Sequence, residues 1–174
     1  YPGHSPVTVN PDLNANGIGY SDAQTGTYEN YTLSQLIMGF VGSGKSDGDP
    51  LTLDAPDIPA WAGPAATGGA GGTPQTFKDM VQDMVEFYYF GQVEDNRGPY
   101  CGGWRYYANY SSSDNSPAQW PALSIDEAVI QWGIPLPAWV QNANHNWTNY
   151  SQAAGGSFGY TGPSGGTPMA MTGA

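Results

Sequence analysis

Apolar residues recur with the period of an amphipathic helix in four segments of the chain. Leu33, Leu36, Ile37, Phe40 and Val41 fall at i, i+3, i+4, i+7 and i+8, and Gly42 closes the run. Phe77, Met80, Val81, Met84, Val85 and Tyr88 repeat that stripe, opened near Thr73-Pro74 or Thr76 and closed by Gly91. A third helix is predicted from Ser116-Pro117-Ala118-Gln119, which reads as a capping box with Pro at the first helical position. It continues through Trp120, Leu123 and Ile130 to Gly133. The fourth follows Pro135 and Pro137, with Leu136, Trp139, Val140, Ala143, Trp147 and Tyr150 on one face and Gly155-Gly156 as the stop. No stretch alternates with period two for long enough to predict a strand. The pattern is all-α.

Composition changes one part of that picture. The 174 residues suit a single domain, 1–174, yet they include 25 Gly and 15 Pro and few aliphatic side chains. Residues 43–75 hold the run Gly68-Gly69-Ala70-Gly71-Gly72 and no periodicity, which predicts an extended Gly-rich excursion. Six Trp, 12 Tyr and five Phe supply the buried area that the aliphatics do not. Trp104, Trp120, Trp139 and Trp147 are therefore expected in the core.

Charge narrows the partners. Four Lys and Arg stand against 15 Asp and Glu, a net charge of −11. Such a chain cannot neutralise a run of phosphates or settle on an anionic bilayer, so nucleic acid and membrane surfaces are not expected partners. No apolar run approaches the ~20 residues that span a bilayer, so no membrane insertion is expected. Cys101 is the single cysteine and supports neither an intrachain disulfide nor a structural zinc site. Low Lys content and four Asn-x-Ser/Thr sequons, at Asn30, Asn109, Asn146 and Asn149, point to an extracellular or cell-surface protein. Asn109, in a loop, is the most accessible of the four on this reading.

An internal repeat carries more weight. Gly17-Ile18-Gly19-Tyr20, Gly103-Trp104-Arg105-Tyr106 and Ser157-Phe158-Gly159-Tyr160 share a small, apolar, any, Tyr pattern. Gln92 precedes Trp104, and Gln152 precedes Gly156 and Phe158 as Gln-x-x-x-Gly-x-aromatic. The unit is loop, helix, helix, present twice with the start of a third.

These residues resemble the prenyltransferase and squalene-oxidase repeat, the QW motif of terpene cyclases. The resemblance covers roughly residues 12–42 and 76–174 and rests on Gln92, Gly103, Trp104, Tyr106, Gln152, Gly156, Phe158 and Tyr160. It implies α/α hairpins arranged as part of an α/α toroid, with each Gln at a helix end against the aromatic of the following loop. A neutral amide suits that place because it satisfies helix-end groups without burying a charge. A full toroid of this family takes about six hairpins and this chain supplies little more than two. It is therefore expected to be a fragment, or a subunit completed by copies of itself or by the rest of its own chain.

The catalytic patterns of that family are not met. The cyclase acid is an Asp-x-Asp-Asp string, whereas the nearest strings here are Ser46-Asp-Gly-Asp49 and Asp126-Glu127. The prenyltransferase zinc ligands are Asp, Cys and His, but Cys101 falls in a loop and His145 in an Asn-rich helix. Arg105, Tyr106, Tyr107 and His145 would serve a polysaccharide lyase, although Arg-Tyr in such a loop is more simply a packing element. The expectation is no catalytic residue.

Calcium is the one candidate cofactor. Asp12-Leu-Asn14-Ala-Asn16-Gly17 places oxygen ligands at alternating positions before a glycine turn, with Asp22 nearby, although Ala23 stands where a bidentate Glu would complete the loop. The plain alternative is an Asn/Asp turn that needs no ion. Together these features predict a non-catalytic extracellular structural or assembly module, as in a surface layer or filament. The alternative is a carbohydrate-binding or lyase-like module, and a terpenoid cyclase or prenyltransferase fragment comes third.

Overall fold

The structure, a computed structural model, describes residues 11–14, 29–44 and 76–163. These form helices α1 (Glu29–Gly42), α2 (Phe77–Gly91), α3 (Asn115–Trp132) and α4 (Ala138–Ser151), with a 3-10 turn at Asp95–Tyr100. Among the described residues there is no strand, and the fold is all-α. Most of the Gly-rich excursion, residues 45–75, lies outside the described residues, as do the first loop motif at Gly17–Tyr20 and residues 164–174.

Local chemistry sets the helix ends. The Thr76 hydroxyl accepts the Asp79 N–H (3.1 Å) while the Asp79 carboxylate accepts the Thr76 N–H (2.9 Å), a reciprocal box that opens α2. The cap of α3 is Asp114 rather than Ser116: its carboxylate accepts the Ser116 N–H at 2.9 Å. The Ser116 hydroxyl pairs with the Tyr31 phenol instead (2.9 Å). Gly133, at φ 64°, ends α3 in the left-handed conformation, with its N–H on the Ala128 and Val129 carbonyls. Pro137 starts α4, which stops at Ser151, before the Gly155-Gly156 pair.

The core joins α1, α2 and α3. Leu33, Ile37 and Val41 of α1 meet Met80, Val81, Met84 and Val85 of α2, with Ile125, Ala128 and Trp132 of α3. α1 packs chiefly on α3, and α2 lies across both. A polar knot sits among them. The Tyr88 phenol donates to the Asn30 carbonyl (3.0 Å) and pairs with the Ser34 hydroxyl (2.6 Å), which in turn accepts from the Ser124 hydroxyl (3.3 Å). Burial pushes the Tyr88 phenol far above its ordinary range, so it stays a neutral donor. Trp104 and Trp147 are fully buried, whereas Trp120 and Trp139 are only half-buried.

α4 is held differently. Of its apolar stripe only Val140 and Trp147 are buried, with Trp139, Ala143 and Tyr150 half-buried. The Trp147 indole donates to Asn115 Oδ1 at the head of α3 (2.8 Å). On α3, Leu123 and Ile130 are not in the core as the periodicity predicts; they are 49% and 75% exposed.

Candidate functional site

The motif residues converge where α2 and α4 each turn back toward the next loop. Gln92 is the C-cap of α2, with φ −61° and ψ 140°, and Gln152 is the C-cap of α4, with φ −81° and ψ 126°. After Gln92, the Val93 N–H donates to the Gly103 carbonyl (2.9 Å) and the Gly102 N–H donates to the Val93 carbonyl (2.8 Å). After Gln152, Ala153 donates to Ser157 and Gly156 donates to Ala153, both at 2.8 Å. The two glycines have φ 90° and 85°, a region that disfavours a side chain. Each Gln amide donates to the carbonyl of its own glycine, at 2.7 Å from Gln92 and 3.3 Å from Gln152. The two closures differ by the six-residue turn Asp95–Tyr100, which occupies the first and not the second.

Gln92 is buried and also donates to the Val140 carbonyl in the first turn of α4 (3.1 Å), whereas Gln152 is exposed. Their aromatics differ in step. Trp104 is 1% exposed, its indole N–H caps the Tyr88 carbonyl near the end of α2 (2.8 Å), and its ring meets the Tyr88 ring edge-on. Phe158 is half-buried and forms an isolated antiparallel bridge with Gln152. Gly103, just before Trp104, is pressed between Trp147 and Ser113.

Asn30, read from the sequence only as a sequon, and Asn115, which sequence reasoning missed, complete these loops. Asn30, second in α1, donates its N–H to the Tyr106 carbonyl (3.1 Å) and its side-chain amide to the Arg105 carbonyl (2.5 Å). Asn115, first in α3, donates its N–H to the Tyr160 carbonyl (2.8 Å) and its side-chain amide to the Gly159 carbonyl (2.7 Å). Each Asn therefore clamps the x-Tyr dipeptide after a motif aromatic. Spacing gave no signal for this, since the clamp joins positions more than forty residues apart.

Asn30 is 1% exposed and Asn109 is 9% exposed, so Asn109 is not the accessible loop position that its sequence context suggests. Asn109 sits at φ 56° because its N–H turns in to cap the Gly91 carbonyl (2.9 Å) at the end of α2. Asn146 and Asn149 are exposed on α4.

The calcium loop is described only at Asp12 and Asn14; Asn16 and Asp22 lie outside the described residues. This segment faces two carboxylates of α2 that the sequence did not assign to it. The Leu13 N–H donates to Glu86 Oε1 (3.1 Å) and the Asn14 amide donates to Asp83 Oδ1 (3.0 Å). Glu86 is fully buried; burial first, and the Asp83 and Asp12 carboxylates second, push its pKa up to about 7. Among the described residues no three His, Cys, Asp or Glu side chains are grouped to hold a metal.

Of the residues weighed for catalysis, Asp126 and His145 line one cleft between α3 and α4, and Cys101, Arg105, Tyr106 and Tyr107 lie outside its lining. Asp126 is exposed on α3 and His145 on α4, Tyr107 is exposed, and Cys101 is half-buried after the 3-10 turn. The Arg105 guanidinium donates to the Ser112 hydroxyl (2.6 Å) and lies over the Tyr110 ring, 4.9 Å from its centroid. That is a packing role. Among the described residues, no helix is long and apolar enough to cross a membrane. No protein-family model, curated protein or solved structure matches the chain.

Proposed function

We propose that this protein is a non-catalytic structural module built from terpene-cyclase-like α/α hairpins, an arc of a toroid. It works outside the cell as a subunit of a surface layer or filament. The observation that carries this reading is the duplicated clamp: Asn30 on Arg105-Tyr106 and Asn115 on Gly159-Tyr160 use the same two donors on the same two carbonyls. A bond pattern that recurs from one hairpin to the next is what stacking of equivalent units requires.

The open side of that stack favours assembly. α3 covers one side of α1, while α3 itself leaves Leu123 and Ile130 in solvent on one face, seven residues apart. Another hairpin would cover them, supplied by a second copy or by the rest of the same polypeptide. Calcium at Asp12, Asn14, Asn16 and Asp22 would offset the carboxylates gathered near the start of the chain. Imaging of the native particle tests the reading. Rings or filaments support it, and isolated particles of one chain's size contradict it.

A further inference from the structure

α3 and α4 do not close on each other. A cleft of about 280 Å³ lies between them, with Ile125, Leu136 and Val140 among its apolar lining. Its rim is polar. Gln141, Asn144, His145 and Asn149 fall at i, i+3, i+4 and i+8 along α4, and Asp126 faces them from α3. The described residues make no hydrogen bond to these five side chains, and all but the half-buried Asn144 are exposed, so a ligand in the cleft can reach their donors and acceptors. The helix that carries them is unusual in composition. α4 has no Lys, Arg, Asp or Glu and holds four Asn, a poor helix former, where a solvated face normally carries Lys or Glu. Two of those Asn, Asn144 and Asn149, line the cleft with Gln141, while Asn142 and Asn146 are exposed outside it.

We propose that this cleft binds a neutral saccharide, a mono- or disaccharide unit of a larger glycan. Amides and imidazole each donate and accept, which matches hydroxyls that do both. The apolar floor takes the C–H face of a sugar ring, and a volume near the lower end of ligand pockets limits the bound portion to one or two rings. Among the described residues no Lys or Arg lines the cleft to balance a uronate or a phosphate, and Asp126 with the −11 charge of the chain opposes an anion. Leu123 and Ile130 are not in the cleft lining, although Asp126 of the cleft lies between them along α3. The two proposals are therefore told apart by their variants: Asn144→Ala with His145→Ala for sugar binding and Ile130→Lys for association.

The test is a nuclear magnetic resonance titration of the protein with cellobiose, maltose and diacetylchitobiose, and with a uronate-containing disaccharide as the anionic comparison. The expected result is saturable shifts of the Gln141, Asn144 and Asn149 side-chain amides with at least one neutral disaccharide, and none with the anionic one. Joint Asn144→Ala and His145→Ala substitution should weaken that binding about tenfold, from two lost hydrogen bonds. Gln131→Ala, outside the cleft on α3, should leave it unchanged. The proposal is overturned if no neutral disaccharide shifts those amides, if the anionic one binds as well, or if the double variant binds like the unaltered protein.

Discussion

Asn30 and Asn115 stand at the heads of α1 and α3 and do the same work: backbone N–H to a Tyr carbonyl, side-chain amide to the carbonyl just before it. Each bond satisfies a helix-start donor and a loop acceptor that would otherwise face a dry interface. Asn115 does more, because its Oδ1 also accepts the Trp147 indole and so ties α4 to α3.

Replacing either Asn with Ala should therefore destabilise the fold by roughly 1–3 kcal/mol, since a buried carbonyl loses its donor. Asn30→Asp should cost more than Asn30→Ala, because a carboxylate in that buried place faces the Arg105 carbonyl with no proton to give. Urea denaturation of the three variants checks the order. Equal stability for Asn30→Ala and the unaltered protein would remove the clamp from the account.

Gly102 and Gly156 occupy matching places with matching φ, yet their surroundings differ. A Cβ on Gly102 would sit 1.9 Å from the Ala143 carbonyl oxygen, whereas one on Gly156 meets open space. Gly156→Ala should cost only left-handed strain, about 1–2 kcal/mol. Gly102→Ala adds a backbone collision with α4 and should cost at least twice as much, read as thermal midpoints in one buffer. A smaller loss at Gly102 than at Gly156 would mean that the first closure does not seat against α4.

Glu86 gives the stability a pH dependence. Its pKa rises from 4.5 to about 7, so between those values the folded chain holds a proton that the unfolded chain has released. Stability then falls as pH rises through that window, by about 3 kcal/mol in all for this group. Glu86→Gln keeps an acceptor for the Leu13 N–H and stays neutral. With chelator present, it should be the more stable form at about pH 8 and near parity at about pH 4. Denaturation curves at the two pH values check this, and a variant less stable at both would contradict it.

The four helices were legible because their apolar stripes have helical period, and α2 ends at Gly91 as read and opens at Thr76, one of the two starts that the sequence left open. Periodicity misled at Leu123 and Ile130, since a stripe on α3 says that a face is apolar and not which neighbour covers it. The cap of α3 was misplaced because Asp114 and Ser116 are both good caps and only the entering backbone chooses between them. Gln92, Trp104, Gln152 and Phe158 were found through a local motif. The Asn clamps and the approach of Glu86 to Leu13 were not, because each joins positions far apart in the chain. Asn109 read as an exposed loop residue and is buried, since its N–H is drawn in to cap Gly91.

The central claim is that an uncovered hairpin face drives these units together. Light scattering on the protein across salt concentrations, beside an Ile130→Lys variant, tests it most directly. At low ionic strength the −11 charge holds copies apart, and added salt or calcium screens it, so the average mass should climb with salt. Ile130→Lys puts a charge in place of the more exposed of the two apolar side chains and should hold the protein at the mass of one chain throughout. One-chain mass for the unaltered protein at every salt concentration, or association that Ile130→Lys leaves untouched, would contradict the account.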